Sequence, residues 1–174
     1  MRVFISLKLG VCRTFQPARS AAASTLAGTR KGNLLVSWLI VAFALTAQQG
    51  HACTLNVTGV NFGSYDVFSN AALDSTGNID VNCDSGVGYS MALTAGGGTH
   101  TQRVMNSGGH RLNYNLYTAA NRAVVWGDAT SGTVTVNGTG IGVNVNHGVY
   151  GRIPALQNLH AGSYSDIIIV ELTF

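Results

Sequence analysis

The 174-residue chain carries ten Lys and Arg against seven Asp and Glu, which gives a formal net charge of +3. Six of the ten basic residues lie before Cys53, so residues 53–174 keep four arginines against seven carboxylates, a net charge of −3. This acidic balance excludes the basic patch that nucleic-acid binding requires. The 122 residues from Cys53 onward are enough for one domain with one hydrophobic core.

An uncharged apolar stretch near the N-terminus predicts export. Residues 34–47 carry no charge and follow Arg30 and Lys31. Fourteen residues are fewer than the roughly 20 that a transmembrane helix needs, so the stretch is typical of a secretory signal peptide rather than of a membrane anchor. We therefore interpret residues 1–52 as a signal peptide with an overlong N-terminal region, and residues 53–174 as the mature domain.

The cleavage site leaves alternatives open. Gly50 and Ala52 form a small-residue pair that favours a cut after Ala52, and a cut after Ala47 is the alternative. A lipoprotein attached through Cys53 is disfavoured, because Gly50 stands where such signals usually carry Leu.

Two cysteines remain after the predicted cut. Cys53 and Cys83 form an even pair in an oxidising compartment, which predicts a disulfide. The loop-entropy model gives such a bond about 3–4 kcal/mol of stabilisation. Two free thiols are the alternative. The absence of a Cys-x-x-Cys motif argues against a zinc site and against a thioredoxin-type redox pair.

The mature segment alternates apolar and polar residues in short runs separated by Gly, Asn, Asp and Ser. This period of two predicts β-strands, and turn signals such as Gly96-Gly97-Gly98 predict the connections between them. The predicted strands cover residues 53–58, 79–83, 89–93, 112–116, 141–146 and 165–174. The pattern predicts an all-β antiparallel sandwich or barrel with one wet face per sheet.

The last predicted strand has one continuous apolar face, made of Ile168, Val170, Leu172 and Phe174. An unprotected strand edge is a template for pairing with another strand, and proteins usually blunt such edges. Because this edge lacks blunting residues, we predict that the function of the protein involves a second strand beside it.

At this point the chain resembles a known family, the spore coat protein U domain, which is shared with pilin subunits of the archaic chaperone–usher pathway. The resemblance covers essentially all of residues 53–174. It rests on the order of several short motifs after the leading Cys53: Phe62-Gly63-Ser64-Tyr65, Gly77-Asn78-Ile79-Asp80-Val81-Asn82-Cys83, Arg103-Val104-Met105, Leu112-Asn113-Tyr114-Asn115-Leu116-Tyr117, Trp126-Gly127-Asp128, Tyr150-Gly151-Arg152-Ile153 and Gly162-Ser163-Tyr164-Ser165-Asp166.

The resemblance implies an immunoglobulin-like sandwich that lacks one edge strand. It implies a secreted structural subunit of a surface fibre or coat, whose groove is filled first by a periplasmic pilus chaperone and then by a strand from a neighbouring pilin subunit. An outer-membrane usher is the third implied partner, and the route runs through the periplasm to the cell surface, the fimbrium or the medium. Ile168, Val170, Leu172 and Phe174 would form one wall of the groove.

One departure from the family pattern supports a second hypothesis. Polymerising members carry an alternating apolar donor segment before the first Cys, and residues 48–52 lack such alternation. A subunit without a donor segment accepts a strand but does not donate one. The alternative function is therefore a secreted or fibre-tip recognition module that binds a glycan or a surface.

No enzyme is predicted. Within the mature segment, His100, His110, His147 and His160 lack metal-ligand spacing, so neither a metal nor a cofactor is expected. Asp66, Asp74, Asp80 and Asp84 could supply a carboxylate pair for glycoside hydrolysis, but their turn-rich contexts favour local turn roles. Trp126 could be a sugar-stacking platform, although a core position is favoured. The four arginines are expected to be solvated surface charges.

Overall fold

The computed structural model describes residues 2–13 and 52–174, and every regular element in these two ranges is a β-strand. The ten strands are β1 (Arg2–Arg13), β2 (Cys53–Thr58), β3 (Val60–Ser64), β4 (Leu73–Cys83), β5 (Gly88–Leu93), β6 (Arg103–Ser107), β7 (His110–Tyr117), β8 (Val136–Thr139), β9 (Val145–Ile153) and β10 (Ser163–Thr173). The predicted signal peptide stretch, residues 34–47, lies outside the described residues. The two described ranges hold no helix that could span a bilayer.

The first layer of the sandwich is antiparallel and has the strand order β2–β4–β9–β7. Its alternation is clear along β4 and β9, where Ile79, Val81, Val149 and Ile153 are fully buried. The residues between them point outward and are mostly polar. This pattern is the one expected of a sheet with one face on the core and one face in water.

The second layer continues from β7 through β6, β10 and β1 to β3. β5 pairs with the end of β10, and β8 pairs with β5. β1 runs parallel to β10, whereas the other pairings are antiparallel. The mixed sheet curls until it is nearly closed and leaves an unpaired seam between its two ends, β2 and β3. The all-β prediction is confirmed, and the architecture is that of an incomplete immunoglobulin-like sandwich.

The core lies between the two layers, and its largest fully buried side chains include Trp126, Tyr114 and Tyr164. Two glycines allow β3 to approach the first layer closely. A Cβ on Gly77 would lie 2.9 Å from Cγ2 of Val60, and one on Gly151 would lie 2.5 Å from Cζ of Phe62. Both distances are shorter than real Cβ contacts, so these positions require glycine for packing.

The predicted strand at residues 141–146 is wrong in its first four residues. Residues 141–144 form a connection, and β9 begins only at Val145. Gly142 has a φ of 75° and donates its N–H to the Cys83 carbonyl at 3.1 Å. This left-handed residue interrupts the extended backbone, so Ile141 and Val143 are exposed despite their alternation. The strands β3, β6 and β8 were missed because they are too short to show a clear period.

The expectation that all four arginines are surface charges is wrong for Arg103, which is 0% exposed. Its guanidinium donates to Oδ1 of Asn115 at 2.7 Å, to the Thr94 carbonyl at 3.0 and 3.1 Å, and to the Trp126 carbonyl at 2.8 Å. Burial lowers the pKa of Arg103 because it penalises the charged form. The guanidinium group of Arg103 therefore links β6 to β7, to the end of β5 and to the segment around Trp126.

We expect Arg103→Lys to destabilise the domain strongly, because a compact ammonium cannot reach carbonyls on both sides of the fork. Hydrogen bonds to charged groups contribute about 1.5–3 kcal/mol each, and the unmatched carbonyls would stay buried. Chemical denaturation measures the loss. Arg111→Lys, at an exposed position of β7, is the matched control and should change stability by less than about 0.5 kcal/mol.

The structure joins Cys53 and Cys83 by a disulfide. These residues are a directly opposed pair at the ends of β2 and β4. Asp84, the next residue after β4, accepts a hydrogen bond from the Ala52 N–H at 3.0 Å. The bond and this contact fasten β2, which is an outer strand with β4 as its neighbour.

We predict that Cys83→Ser lowers the free energy of unfolding by about 2–5 kcal/mol, because the unfolded chain loses its cross-link. The double variant Cys53→Ser with Cys83→Ser should lose no more than either single variant, since both remove the same bond. Thermal unfolding compares the three proteins. Finding two alkylatable thiols in the exported protein would contradict the disulfide.

Candidate functional site

The inner face of β10 is the wall that the sequence analysis assigned to a groove. Ile168, Val170 and Leu172 are 0% exposed, and Phe174 is partly buried just beyond the strand. The alternate residues Ile167 and Ile169 are 50% and 39% exposed on the opposite face. The structure thus brings the four predicted residues together along one face, while their role in binding another strand stays a prediction.

The two backbone edges of β10 have different partners. One edge pairs with β6 at Ser165 and with β5 from Val170 to Thr173. The other edge pairs with β1 from Ser163 to Thr173 in parallel register. The second partner belongs to a segment that residues 14–51 separate from the rest of the sandwich.

β1 places three apolar side chains into the core. Val3, Ile5 and Leu7 are 1%, 2% and 6% exposed, whereas Phe4 between them is 47% exposed. Full burial of one such side chain contributes about 1.5–3 kcal/mol. The three together would contribute roughly 5–9 kcal/mol, which is comparable with the whole stability of a small domain.

The backbone pairing of β3 also depends on β1. Among the described residues, the only strand that pairs with β3 is β1, over Arg2–Ile5 against Val60–Ser64. Without β1, therefore, one edge of β10 and one edge of β3 lose their backbone partners. The space between β10 and β3, which we call the groove, is the one long gap that residues 52–174 leave in the second layer.

The sequence analysis missed β1 because it assigned residues 2–13 to the basic region of the leader. The signal was present: Val3, Ile5, Leu7, Leu9 and Val11 alternate with other residues at a period of two. Gly10 fits the close approach, because a Cβ there would collide with the side chain of Ile169. The alternating apolar segment that residues 48–52 lack is therefore present about 40 residues before Cys53.

A partly buried hydrogen-bond cluster holds the beginning of β10. The carboxylate of Asp166 accepts the Tyr114 hydroxyl at 2.7 Å and the Gly97 N–H at 3.1 Å. Burial raises the pKa of Tyr114, and the neighbouring Asp166 carboxylate raises it further, so the phenol stays protonated as a donor. The start of β10 is therefore held through Tyr114 of β7 and Gly97, in addition to its pairing with β1.

The alternative sites of the sequence analysis have structural roles. Trp126 is 1% exposed and donates its indole N–H to the Met91 carbonyl at 3.1 Å, so the favoured core position is confirmed. Each of the four aspartates accepts a hydrogen bond from a backbone N–H or from an Arg or Asn side chain. The donors are Phe68 N–H for Asp66, Arg152 for Asp74, Asn146 for Asp80, and Ala52 N–H for Asp84. In the part of the chain that the structure describes, three or more metal-ligating side chains do not converge.

This geometry defines a class of protein, a β-sandwich whose second layer is completed by β1, a strand distant in sequence from the rest of the fold. Comparison with known proteins gives the family. The model of the Spore Coat Protein U domain matches residues 39–171, and Protein U of Myxococcus xanthus is 32% identical over 146 residues, covering 74% of this chain and 80% of that protein. The chain belongs to the Spore Coat Protein U domain family.

A solved structure shares the fold. It is the pre-assembly complex of the chaperone CsuC with the tip adhesion subunit CsuE, from the archaic chaperone–usher Csu pili of Acinetobacter baumannii. The match has a TM-score of 0.53 at 21% sequence identity and covers 71% of this chain. The chain spans only 40% of the length of the matched protein.

We predict that Val170→Asp prevents stable folding, because it places a carboxylate at a fully buried position facing the groove. Ile169→Asp is the matched control on the next residue, and its side chain points to solvent. Soluble yield and thermal unfolding of the two variants give the comparison. Equal loss in both variants would contradict the assignment of the inner face.

Proposed function

We propose that this chain is an exported structural subunit of a chaperone–usher surface fibre or coat, and that it accepts a β-strand from a partner. The partners that we propose are a periplasmic pilus chaperone, an outer-membrane usher and neighbouring pilin subunits. The route leads through the periplasm to the cell surface, the fimbrium or the medium. Membership in a coat-protein family agrees with a surface or extracellular location and with a structural role rather than a catalytic one.

The observation that carries this proposal is the insertion of β1 between β10 and β3. A segment distant in sequence completes the sandwich through backbone pairing and three buried side chains, Val3, Ile5 and Leu7. These are the two components of β-strand addition, in which the backbone provides affinity and alternate side chains provide specificity. The groove therefore has the chemistry of a strand acceptor.

Export would make the groove available to a partner. If residues 1–52 are removed as a signal peptide, β1 leaves with them, and the edges of β10 and β3 lose their hydrogen-bond partners. Unpaired buried backbone groups cost about 1–3 kcal/mol each. The mature chain would then need a strand in trans, which is the task that we assign first to the chaperone and later to a neighbouring subunit.

The orientation of β1 supports such an exchange. β1 is parallel to β10, and parallel pairing is slightly less stable per residue than antiparallel pairing. An incoming segment of the opposite direction would form a more stable ladder on the same edge. A first, parallel occupant could therefore be replaced by a second, antiparallel occupant without any change in the sandwich itself.

A donor peptide tests the acceptor directly. We expect a synthetic peptide with the sequence of residues 2–13, carrying Cys12→Ser to remove the thiol, to bind residues 53–174 and raise the thermal midpoint. Burial of Val3, Ile5 and Leu7 supplies the free energy, so Ile5→Asp in the peptide should abolish the stabilisation. Ser6→Asp is the matched control, because Ser6 lies on the opposite face of β1 and should retain it.

Co-expression tests the same proposal in the cell. We expect residues 53–174 to accumulate in the periplasm with a pilus chaperone and to degrade or aggregate without one. A purified, monomeric 53–174 fragment whose thermal stability is high and independent of peptide and chaperone would overturn the acceptor model. Two-dimensional NMR of that fragment would then report a closed sandwich instead.

A further inference from the structure

Two tyrosines meet on the outer face of the first layer, away from the groove. Tyr117 and Tyr150 are directly opposed in the β7–β9 pairing, where facing Cβ atoms lie about 5 Å apart. A Cβ on Gly148 would lie 3.0 Å from Cζ and 2.9 Å from Oη of Tyr150, so the outer half of this ring lies over the glycine. The ring therefore packs against the strand at Gly148, and the side chain of Tyr150 is half-buried, so part of it is open to solvent.

Two arginines and one aspartate border this tyrosine pair. Arg152 donates Nε and Nη2 to the carboxylate of Asp74 at 2.7 and 2.8 Å. Arg122 lies with Nε 3.2 Å from the same carboxylate and donates to the Gly151 and Ala120 carbonyls. Within the described residues, Nη1 of Arg152 and Nη2 of Arg122 make no hydrogen bond, so each guanidinium keeps donors for a ligand.

Arg122 has an unfavourable backbone conformation, which an ion pair with Asp74 would not by itself require. Its φ is 53°, in the left-handed region that non-glycine residues rarely adopt. Its N–H donates to the Ala119 carbonyl at 3.0 Å, so the turn from residue 119 directs the side chain back towards β9. The bidentate ion pair of Arg152 with Asp74 would by itself be enough to hold β9 against β4. Arg122 adds a second positive charge, so the cluster of two arginines and one aspartate has an excess positive charge.

The positive charge of this cluster contrasts with the acidic balance of the domain. Residues 53–174 carry a net charge of −3, yet two of their four arginines converge here on one carboxylate. The hydrogen bonds from Arg152 lower the pKa of Asp74, which therefore stays ionised at neutral pH. The next carboxylate on this face of β4 is Asp80, six residues and about 20 Å along the strand, well beyond the screening length of about 8 Å in physiological salt.

We propose that this face, which we call the Tyr–Arg face, binds a carboxylated saccharide. The half-buried ring of Tyr150 provides an apolar surface with a polar rim for a sugar ring. The free donors of Arg122 and Arg152 fit a uronate carboxylate, which guanidinium groups bind in a planar fork. The proposal does not depend on strand acceptance, because the Tyr–Arg face belongs to the first layer and the groove to the second. It gives a concrete site to the glycan-binding alternative of the sequence analysis.

Isothermal titration of the folded full-length chain, in which β1 completes the sandwich, with hexagalacturonate tests the proposal. We expect saturable binding that weakens as sodium chloride is raised, and no comparable binding of the neutral galactose hexamer. Arg152→Gln should weaken binding by about tenfold or more, since it removes a charge-assisted contact. Arg111→Gln, an exposed arginine outside the Tyr–Arg face, should leave the affinity unchanged.

Two further variants separate binding from a structural role. Tyr150→Leu keeps an apolar side chain over Gly148 but removes the aromatic surface, and we expect it to weaken binding while the thermal midpoint stays within a few degrees. Asp74→Asn removes the carboxylate that competes with the ligand, and we expect it to tighten binding although it removes an ion pair. A purely structural cluster would instead show lower stability and no gain in affinity.

Several outcomes would overturn the proposal. They are the absence of hexagalacturonate binding at millimolar concentration, equal binding of the neutral hexamer, and equal weakening by Arg111→Gln and Arg152→Gln. The last result would indicate a general charge effect rather than a site. None of these outcomes would affect strand acceptance at the groove, which the donor peptide reports independently.

Discussion

The edge of β10 that residues 52–174 leave without a partner is the constraint on which the rest of this structure depends. A strand in the middle of a buried layer must pair along both edges, because unpaired backbone groups in the core are costly. Residues 52–174 supply β5 and β6 for one edge and no strand for the other. β1 fills the gap and also provides the pairing of β3. The stability of the second layer is therefore tied to a segment outside the contiguous domain.

The remainder of the fold keeps the groove walls in place. Arg103 joins β6 to Asn115 of β7 and to the carbonyls after β5, and Trp126 bonds to Met91 within β5. The Tyr114 hydroxyl holds Asp166 at the start of β10. These buried polar contacts are directional, so they fix the position of β10 more narrowly than apolar packing would. A strand that is held in place in this way loses little further conformational entropy when it pairs with a neighbour.

The likeness to the solved Csu complex lies in the fold rather than in sequence identity. The match covers 71% of this chain at 21% sequence identity and has a TM-score of 0.53. Alternation of buried and exposed positions can be conserved while the individual side chains change, because a sandwich core accepts many apolar combinations of similar volume. The two surfaces of this chain also lie on different layers. The groove lies between β10 and β3, and the Tyr–Arg face lies on the outer side of β4, β7 and β9.

The sequence alone determined the all-β class, most strands, the inward face of β10 and the Cys53–Cys83 pairing, because period-two alternation and a single pair of exported cysteines are local signals. It did not determine the burial of Arg103, since no local pattern reveals that carbonyls from three segments converge on one guanidinium. It misjudged residues 141–144, where the left-handed Gly142 overrides alternation. It also left β1 in the leader and the Tyr–Arg face unnoticed. Only tertiary structure brings Val3 beside Tyr164, or Arg122 beside Arg152, because these contacts join residues far apart in the chain.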